Sequence, residues 1–268
     1  LKADFAIPWV AEFRDPWTEL ASYDRGWRRR VDEAVERAIV READVVVTVS
    51  RGFAEVLARK GARRVAVIPN GFDPSDYPEA GPTEDVVAYL GTFYPGRQDL
   101  ETALRALAEL ESRREGLVLR LRFIGAHGPE VLRQVSAAGI HTPPEVTGFL
   151  AHRPALAALS RARLLLLAGP KDLDAADPVV RGWIPAKVFE YLGAARPILY
   201  VGNPRSEVAE LVRASGAGEV VRPGDVEAAV TAIARLTSGP PPSRSPSVES
   251  YTRQALAGSL ASLLDQLA

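Results

Sequence analysis

Lys187 and Glu190 carry the clearest chemistry in this sequence. They stand three apart in "IPAKVFEYLG", where the pattern predicts a helix over 185–195. The start of a helix is the positive end of its macrodipole, so a lysine there is unfavourable by about 0.3–1 kcal/mol. A bound anion reverses that sign, because free N–H groups and the ammonium then act on one charge. A phosphate is such an anion. A carboxylate one turn further along can accept two hydrogen bonds from a vicinal diol, as a ribose presents. The rival reading is a solvated Lys187–Glu190 pair worth about 0.2–0.5 kcal/mol. Lysine is rare here: Lys2, Lys60, Lys171 and Lys187 are the only four among 33 basic residues. A compact point charge at 187, in a chain that otherwise uses planar guanidinium groups, is therefore informative.

Other chemistries find less support. There is no cysteine, which excludes disulfides and thiolate nucleophiles. His127, His141 and His152 are scattered, without metal-ligand spacing. Asp172, Asp174 and Asp177 in "DLDAAD" could suggest a divalent cation, but they lack the spacing of a calcium loop. No GxSxG, HExxH or GxxxxGK[ST] occurs. The net charge of -1 gives no reason to expect nucleic acid as a partner. No apolar run reaches the roughly 18 residues of a membrane span, and no signal-peptide pattern opens the chain. A cytoplasmic place follows as the expectation, with a peripheral position at the inner membrane face as its variant. Methionine is absent, so the chain is expected to be a fragment, a processed form or an incomplete record of a longer protein.

Strand and helix patterns alternate almost throughout the 268 residues. Residues 6–13 read as extended, 24–43 as a helix spaced through Trp27, Val31, Val35 and Ile39, and 44–50 as a buried strand. A helix 51–60 and a strand 64–71 follow, then a Pro-, Asp- and Gly-rich linker over 72–83. Strands are predicted at 86–91, 117–125, 145–150, 163–169, 197–202 and 218–221, with helices between them. A flexible connector covers 238–247, and a last helix, 249–267, sets Leu256, Leu260, Leu263, Leu264 and Leu267 on one face. Continuously apolar strands mark a parallel sheet covered on both faces. The expected fold is α/β: one complete doubly wound Rossmann-like domain preceded by the second half of another. The expected division is 1–75, 76–237 and 238–268. In such sheets ligands bind beyond the carboxyl ends of the strands, where glycines stand in this chain. Those glycines admit a ligand to the backbone or simply make tight turns.

From about Arg14 to Leu236 the chain resembles the retaining glycosyltransferases of family 4, which have the two-domain GT-B architecture. The stretches that carry the likeness are 43–74, "YLGTFYPGRQDLETALRAL" (89–107), "LRFIGAHGPE" (121–130), 146–170 and "IPAKVFEYLGAARPILYVGNPRSEVAELV" (184–212), in the family's order. The resemblance implies that Arg97 and Lys187 contact a donor diphosphate and that Glu190 binds the ribose. It implies that Phe149 and Leu150 read the base, and that Gly91, Thr92, Asn203, Ser206 and Glu207 form the donor loops. Arg14 and Asp15 fall on the acceptor side, and no catalytic residue is assigned. Two positions depart from the family: its first signature glutamate falls on Gly182, and Thr92 stands where many members have arginine. The family's N-terminal Gly-rich loop and histidine are not in this chain. The implied reaction moves a hexose-type sugar, with retention, from a UDP-, GDP- or similar nucleotide sugar. The acceptor, whether glycan, lipid-linked or small molecule, is left open, and no cofactor or metal is expected. The alternatives are a nucleotide-sugar-binding module without catalysis and, below it, a sugar-nucleotide epimerase.

Overall fold

The structure is a computed structural model that describes residues 7–19, 26–79, 81–94, 96–113, 118–125, 129–171, 174, 176–240 and 245–267. His127 and Asp172 lie outside the described residues. Among these the strands are β1 (Val10–Phe13), β2 (Val45–Thr48), β3 (Val65–Val67), β4 (Glu84–Leu90), β5 (Arg120–Ile124), β6 (Glu145–Gly148), β7 (Ala162–Ala168), β8 (Ile198–Val201) and β9 (Gly218–Val221). The helices are α1 (Trp27–Glu42), α2 (Arg51–Arg59), α3 (Glu101–Arg113), α4 (Pro129–Ala137), α5 (His152–Arg161), α6 (Pro178–Gly182), α7 (Lys187–Ala194), α8 (Glu207–Ala214), α9 (Val226–Ser238), α10 (Pro246–Glu249) and α11 (Arg253–Asp265). Every strand pair is parallel, as the apolar runs require. One sheet has the order β1-β2-β3 and the other β6-β5-β4-β7-β8-β9. The strand order of the larger sheet reverses between β4 and β7, which is where a doubly wound sheet opens its crevice.

Period-two alternation sorts the larger sheet into two cores. Val86, Ala88, Leu165 and Leu167 face one way, against Leu156 and Leu159 of α5 and Val188, Phe189 and Leu192 of α7. Val87, Tyr89, Leu164 and Leu166 face the other way, against Leu104 and Leu107 of α3 and Val230 and Ile233 of α9. In the smaller sheet Val46 packs on Val40 and Leu57, while Val45 and Val47 meet Leu263 of α11. The last helix thus crosses back to cover the first sheet.

Three expectations change. The polar loop 170–184 contains the short helix α6, because Asp177 accepts from the Val179 amide at 2.8 Å and caps it. The terminal helix is two pieces, since Thr252 caps α11 afresh through the Ala255 amide. Its leucines do not share one buried face: Leu263 is buried, whereas Leu260 and Leu264 are exposed. On α1, Trp27, Val31 and Val35 lie exposed; Glu36 and Val40 turn inward instead. The start of the linker is tightly held. Phe72 is buried, its N–H donates to the Tyr251 carbonyl at 3.1 Å, and its carbonyl accepts from the Arg253 amide at 2.8 Å.

The two sheets meet through glycine. A Cβ on Gly182 would stand 2.7 Å from Ser50 Oγ and 2.8 Å from the Gly52 Cα. A Cβ on Gly52 would stand 2.1 Å from the Pro178 carbonyl oxygen. Helices α2 and α6 therefore touch backbone to backbone, and Arg181 adds a 2.6 Å ion pair to Glu55. Gly182→Ala is expected to destabilise the fold by about 1–3 kcal/mol through overpacking. The denaturation midpoint measures this, and an unshifted midpoint would mean the two helices part at no cost.

Candidate functional site

The crevice between β4 and β7 is held open by a side chain. Their ladder ends at the Ala88–Leu165 pair. Beyond it the Tyr191 hydroxyl accepts from the Leu90 amide at 2.9 Å and donates to the Leu166 carbonyl at 3.1 Å. Tyr191 is fully buried, and burial pushes its phenol well above the usual range, so it stays a neutral donor and acceptor. Both strand ends keep their backbone partners while the strands separate.

Gly91 follows directly, with a φ of 85° that only glycine adopts without strain, and its amide donates to the Ile124 carbonyl at 2.8 Å. A Cβ there would stand 3.5 Å from the Lys187 Nζ. The lysine of α7 thus reaches across the crevice to the end of β4. Its ammonium lies 3.0 Å from the Tyr89 hydroxyl and 4.2 Å from the centre of that ring. The Lys187–Glu190 salt pair of the rival reading is not present. Ala186 provides no side-chain cap for α7. Among the described residues the ammonium has one hydrogen-bond acceptor for its three protons. Burial lowers the Lys187 pKa to about 8, with Glu190 opposing the shift. The folded state binds this proton less tightly than the unfolded chain does. Its charge therefore costs stability below pH 8, a cost that fades as pH rises towards the free-lysine value.

Glu190 sits one turn on, partly buried. Its carboxyl pKa is raised by burial and pulled back by His152, Lys187 and Arg253. His152 Nδ1 lies 3.9 Å from Glu190 Oε1, and its Nε2 lies 3.5 Å from Asp76 of the linker. The Tyr77 hydroxyl donates to the Glu190 carbonyl at 2.9 Å. Beside His152, Phe149 projects with 87% of its surface exposed, while Leu150 turns in against the core of α5 and α7.

The other expected residues divide. Arg97 is exposed, with its amide bonded to Tyr94 and its carbonyl to Lys171. The Thr92 carbonyl receives the Tyr89 hydroxyl at 3.4 Å. Ser206 and Asn203 are buried and spend their side chains on the turn into α8: Ser206 caps the Ala209 amide and Asn203 Oδ1 accepts from the Arg205 amide. Glu207 is also buried. Its two oxygens accept the Arg51 and Gly52 amides at 2.9 and 2.7 Å, so this carboxylate caps α2 of the other sheet and is not free for a ligand. Arg14 and Asp15 follow β1 in the open, with Arg14 paired to Glu12 at 2.7 Å. The turn after them is anchored by a buried cluster in which Lys60 Nζ meets Thr18 Oγ1 at 2.7 Å and Glu36 at 2.6 Å.

Glycines at the strand ends have two uses. Gly169 and Gly202 leave room for the Tyr200 ring, whose atoms would stand within 2.5 Å of a Cβ at either position. Gly91 instead faces Lys187. At Gly182 no carboxylate can be seated, because the space belongs to Ser50 and Gly52. Of the acidic loop, Asp177 caps α6 and Asp174 accepts from the Ala176 amide at 2.9 Å; no group that could hold a metal ion occurs among the described residues. None of the helices described is long and apolar enough to cross a membrane. Residues that sequence reasoning missed are Tyr89, Tyr191, Tyr77, His152 and Asp76. Tyr191 was within view as the residue after Glu190; the others join the site only through the fold.

Comparison with known proteins gives this arrangement a family. The family described as "Glycosyl transferase 4-like domain" matches residues 1–71, and "Glycosyl transferases group 1" matches 84–238. No curated protein matches the chain in sequence. Among solved structures, sucrose-phosphate synthase from Thermosynechococcus elongatus superposes with a TM-score of 0.65 at 18% identity, over 97% of this chain and 67% of its own. HepE of Anabaena, solved with UDP, gives 0.71 at 16% identity, over 99% and 74%. TarM of S. aureus, also solved with UDP, gives 0.64 at 10%, over 95% and 50%. These likenesses establish the fold. With the group 1 match covering more than half of its residues, the chain belongs to the glycosyl transferases group 1 family and is that of a GT-B glycosyltransferase.

Proposed function

We propose that this chain carries the donor half of a retaining glycosyltransferase that moves a hexose-type sugar from a nucleotide sugar to an acceptor. One observation supports the reading above the others. Lys187 holds a poorly satisfied ammonium against the Gly91 backbone, at the mouth of the crevice between β4 and β7. A diphosphate placed there would accept its remaining protons beside the start of α7, which has no side-chain cap. Arg97 adds a second cation from the loop after β4. Glu190 takes the ribose hydroxyls, and Phe149 with Leu150 meets the base. Gly91 and Thr92 line the donor loop, with Asn203, Ser206 and Glu207 building the turn behind it. Arg14 and Asp15 face the acceptor. Residues 1–75 then form the acceptor-side portion, 76–237 the donor domain and 238–268 the return to the first. HepE and TarM were solved with UDP, which favours a nucleoside diphosphate as the common group.

In this reading cations and amide dipoles stabilise the departing diphosphate, the electrostatic part that a metal plays elsewhere. A second reading, a donor-binding module without catalysis, draws support from Gly182. The seat of the family's first carboxylate is closed there by Ser50 and Gly52. Turnover by the full-length gene product separates the two readings.

Lys187→Ala and Glu190→Ala are each expected to weaken nucleoside diphosphate binding about tenfold or more, from the loss of bonds worth about 1.5–3 kcal/mol. Calorimetry with UDP, GDP and ADP measures this, and wild-type affinity in both variants would sink the site. Turnover by the full-length gene product is expected to survive EDTA; an activity abolished by EDTA and restored by a divalent cation would refute the metal-free mechanism.

A further inference from the structure

We propose that Tyr89 is a positioning residue: its ring and hydroxyl hold the Lys187 ammonium at the end of β4 and couple it to Thr92 and Gln98. The inference rests on the reading of Lys187 as a diphosphate ligand and deepens it. Tyr89 lies wholly in the core, packed on Phe93 and Phe123 at centroid distances of 6.3 and 6.1 Å. Its ring is therefore fixed before any ligand arrives. The ammonium sits over that ring at 4.2 Å, within cation–π range, and the hydroxyl accepts from it at 3.0 Å.

The hydroxyl proton has its own destination. It points to Gln98 Oε1 at 3.3 Å and the Thr92 carbonyl at 3.4 Å. Gln98 is buried, its Oε1 accepts the Tyr94 amide at 3.1 Å, and its Nε2 donates to the Ala168 carbonyl at 3.3 Å. One chain of bonds thus runs from Lys187 of α7 through Tyr89 and Gln98 to the end of β7. It ties the ammonium to the loop that carries Thr92 and Arg97. An ammonium on a four-carbon stem would otherwise sweep many rotamers, and fixing it in advance removes that entropy from binding.

The titratable groups around this contact are Tyr89 and Tyr94 from the β4 side and Glu190 and Tyr191 from α7 itself. Beyond Glu190 stand His152 of α5, Asp76 of the linker and Arg253 of α11. Burial raises the Tyr89 phenol far above neutrality, so it stays protonated while Lys187 titrates.

The test compares the wild type with Tyr89→Phe, which keeps the ring and its packing. Reductive methylation with 13C labels only four side chains and the amino terminus, and Lys187→Arg assigns the Lys187 signal by its disappearance. Loss of the hydroxyl, an acceptor for the ammonium, is expected to move the Lys187 titration below that of the wild type. Calorimetry with UDP at pH 7 is expected to show binding about tenfold weaker in Tyr89→Phe. The alkaline limb of UDP binding should move down with it, and Lys187→Arg should abolish that limb. An unchanged Lys187 titration overturns the proposal, whether or not UDP binds. A uniform loss of UDP affinity at every pH, with the titration unmoved, also overturns it and leaves Tyr89 as packing. A shifted titration with no UDP binding to the wild type keeps the Tyr89–Lys187 hold and removes the diphosphate reading.

Discussion

The architecture of the site depends on one buried hydroxyl. Two parallel strands lying next to each other would normally zip to their ends. Tyr191 interrupts β4 and β7 by inserting its O–H between the Leu90 amide and the Leu166 carbonyl. A gap in the ladder without that insertion would leave a buried donor and a buried acceptor unmet, at about 1–3 kcal/mol each. The tyrosine turns the gap into a stable feature, and it comes from α7, the helix that also brings Lys187 and Glu190. Opening the crevice and furnishing it with charge are thus done by one short helix.

Tyrosines dominate the surroundings of this crevice. Tyr191 wedges the strands, Tyr89 supports the ammonium, and Tyr77 fastens the linker to the backbone of α7. Tyr200 fills the space that Gly169 and Gly202 leave beside β8. Each has an aromatic body in the core and a polar tip at a strand or helix end, so it can join apolar packing to backbone hydrogen bonding. The charged residues are treated differently. Glu207 is fully employed between the two sheets, whereas Lys187 is left short of acceptors, and that contrast separates a structural charge from one that awaits a partner.

Much of the fold was legible because burial on both faces leaves an unbroken apolar run, and those runs at 86–91, 163–169 and 197–202 became central strands. Lys187 stood out by its type and by its place at the start of a helix. Its partner did not, because Tyr89 lies 98 residues away and meets it only across the switch point. Spacing along one helix suggested a Lys187–Glu190 pair, but the lysine stem runs towards β4 instead. Glu207 is a related case: the preceding turn resembles a ligand loop, and nothing local reveals that the α2 amides arrive opposite its side chain. The glycine at 182 read as a departure from the family, and the fold adds that the α2–α6 contact has no room for a side chain there. Trp27, Val31 and Val35 follow helical spacing yet stay exposed, so periodicity established the helix and left its covering undetermined.

The pairing of Phe72 with Tyr251 and Arg253 has a mechanical meaning. The chain passes between its two sheets twice, outward near residue 72 and back near residue 252, and the two passages are bonded side by side. Two bonded crossings resist torsion and stretching far better than one tether does.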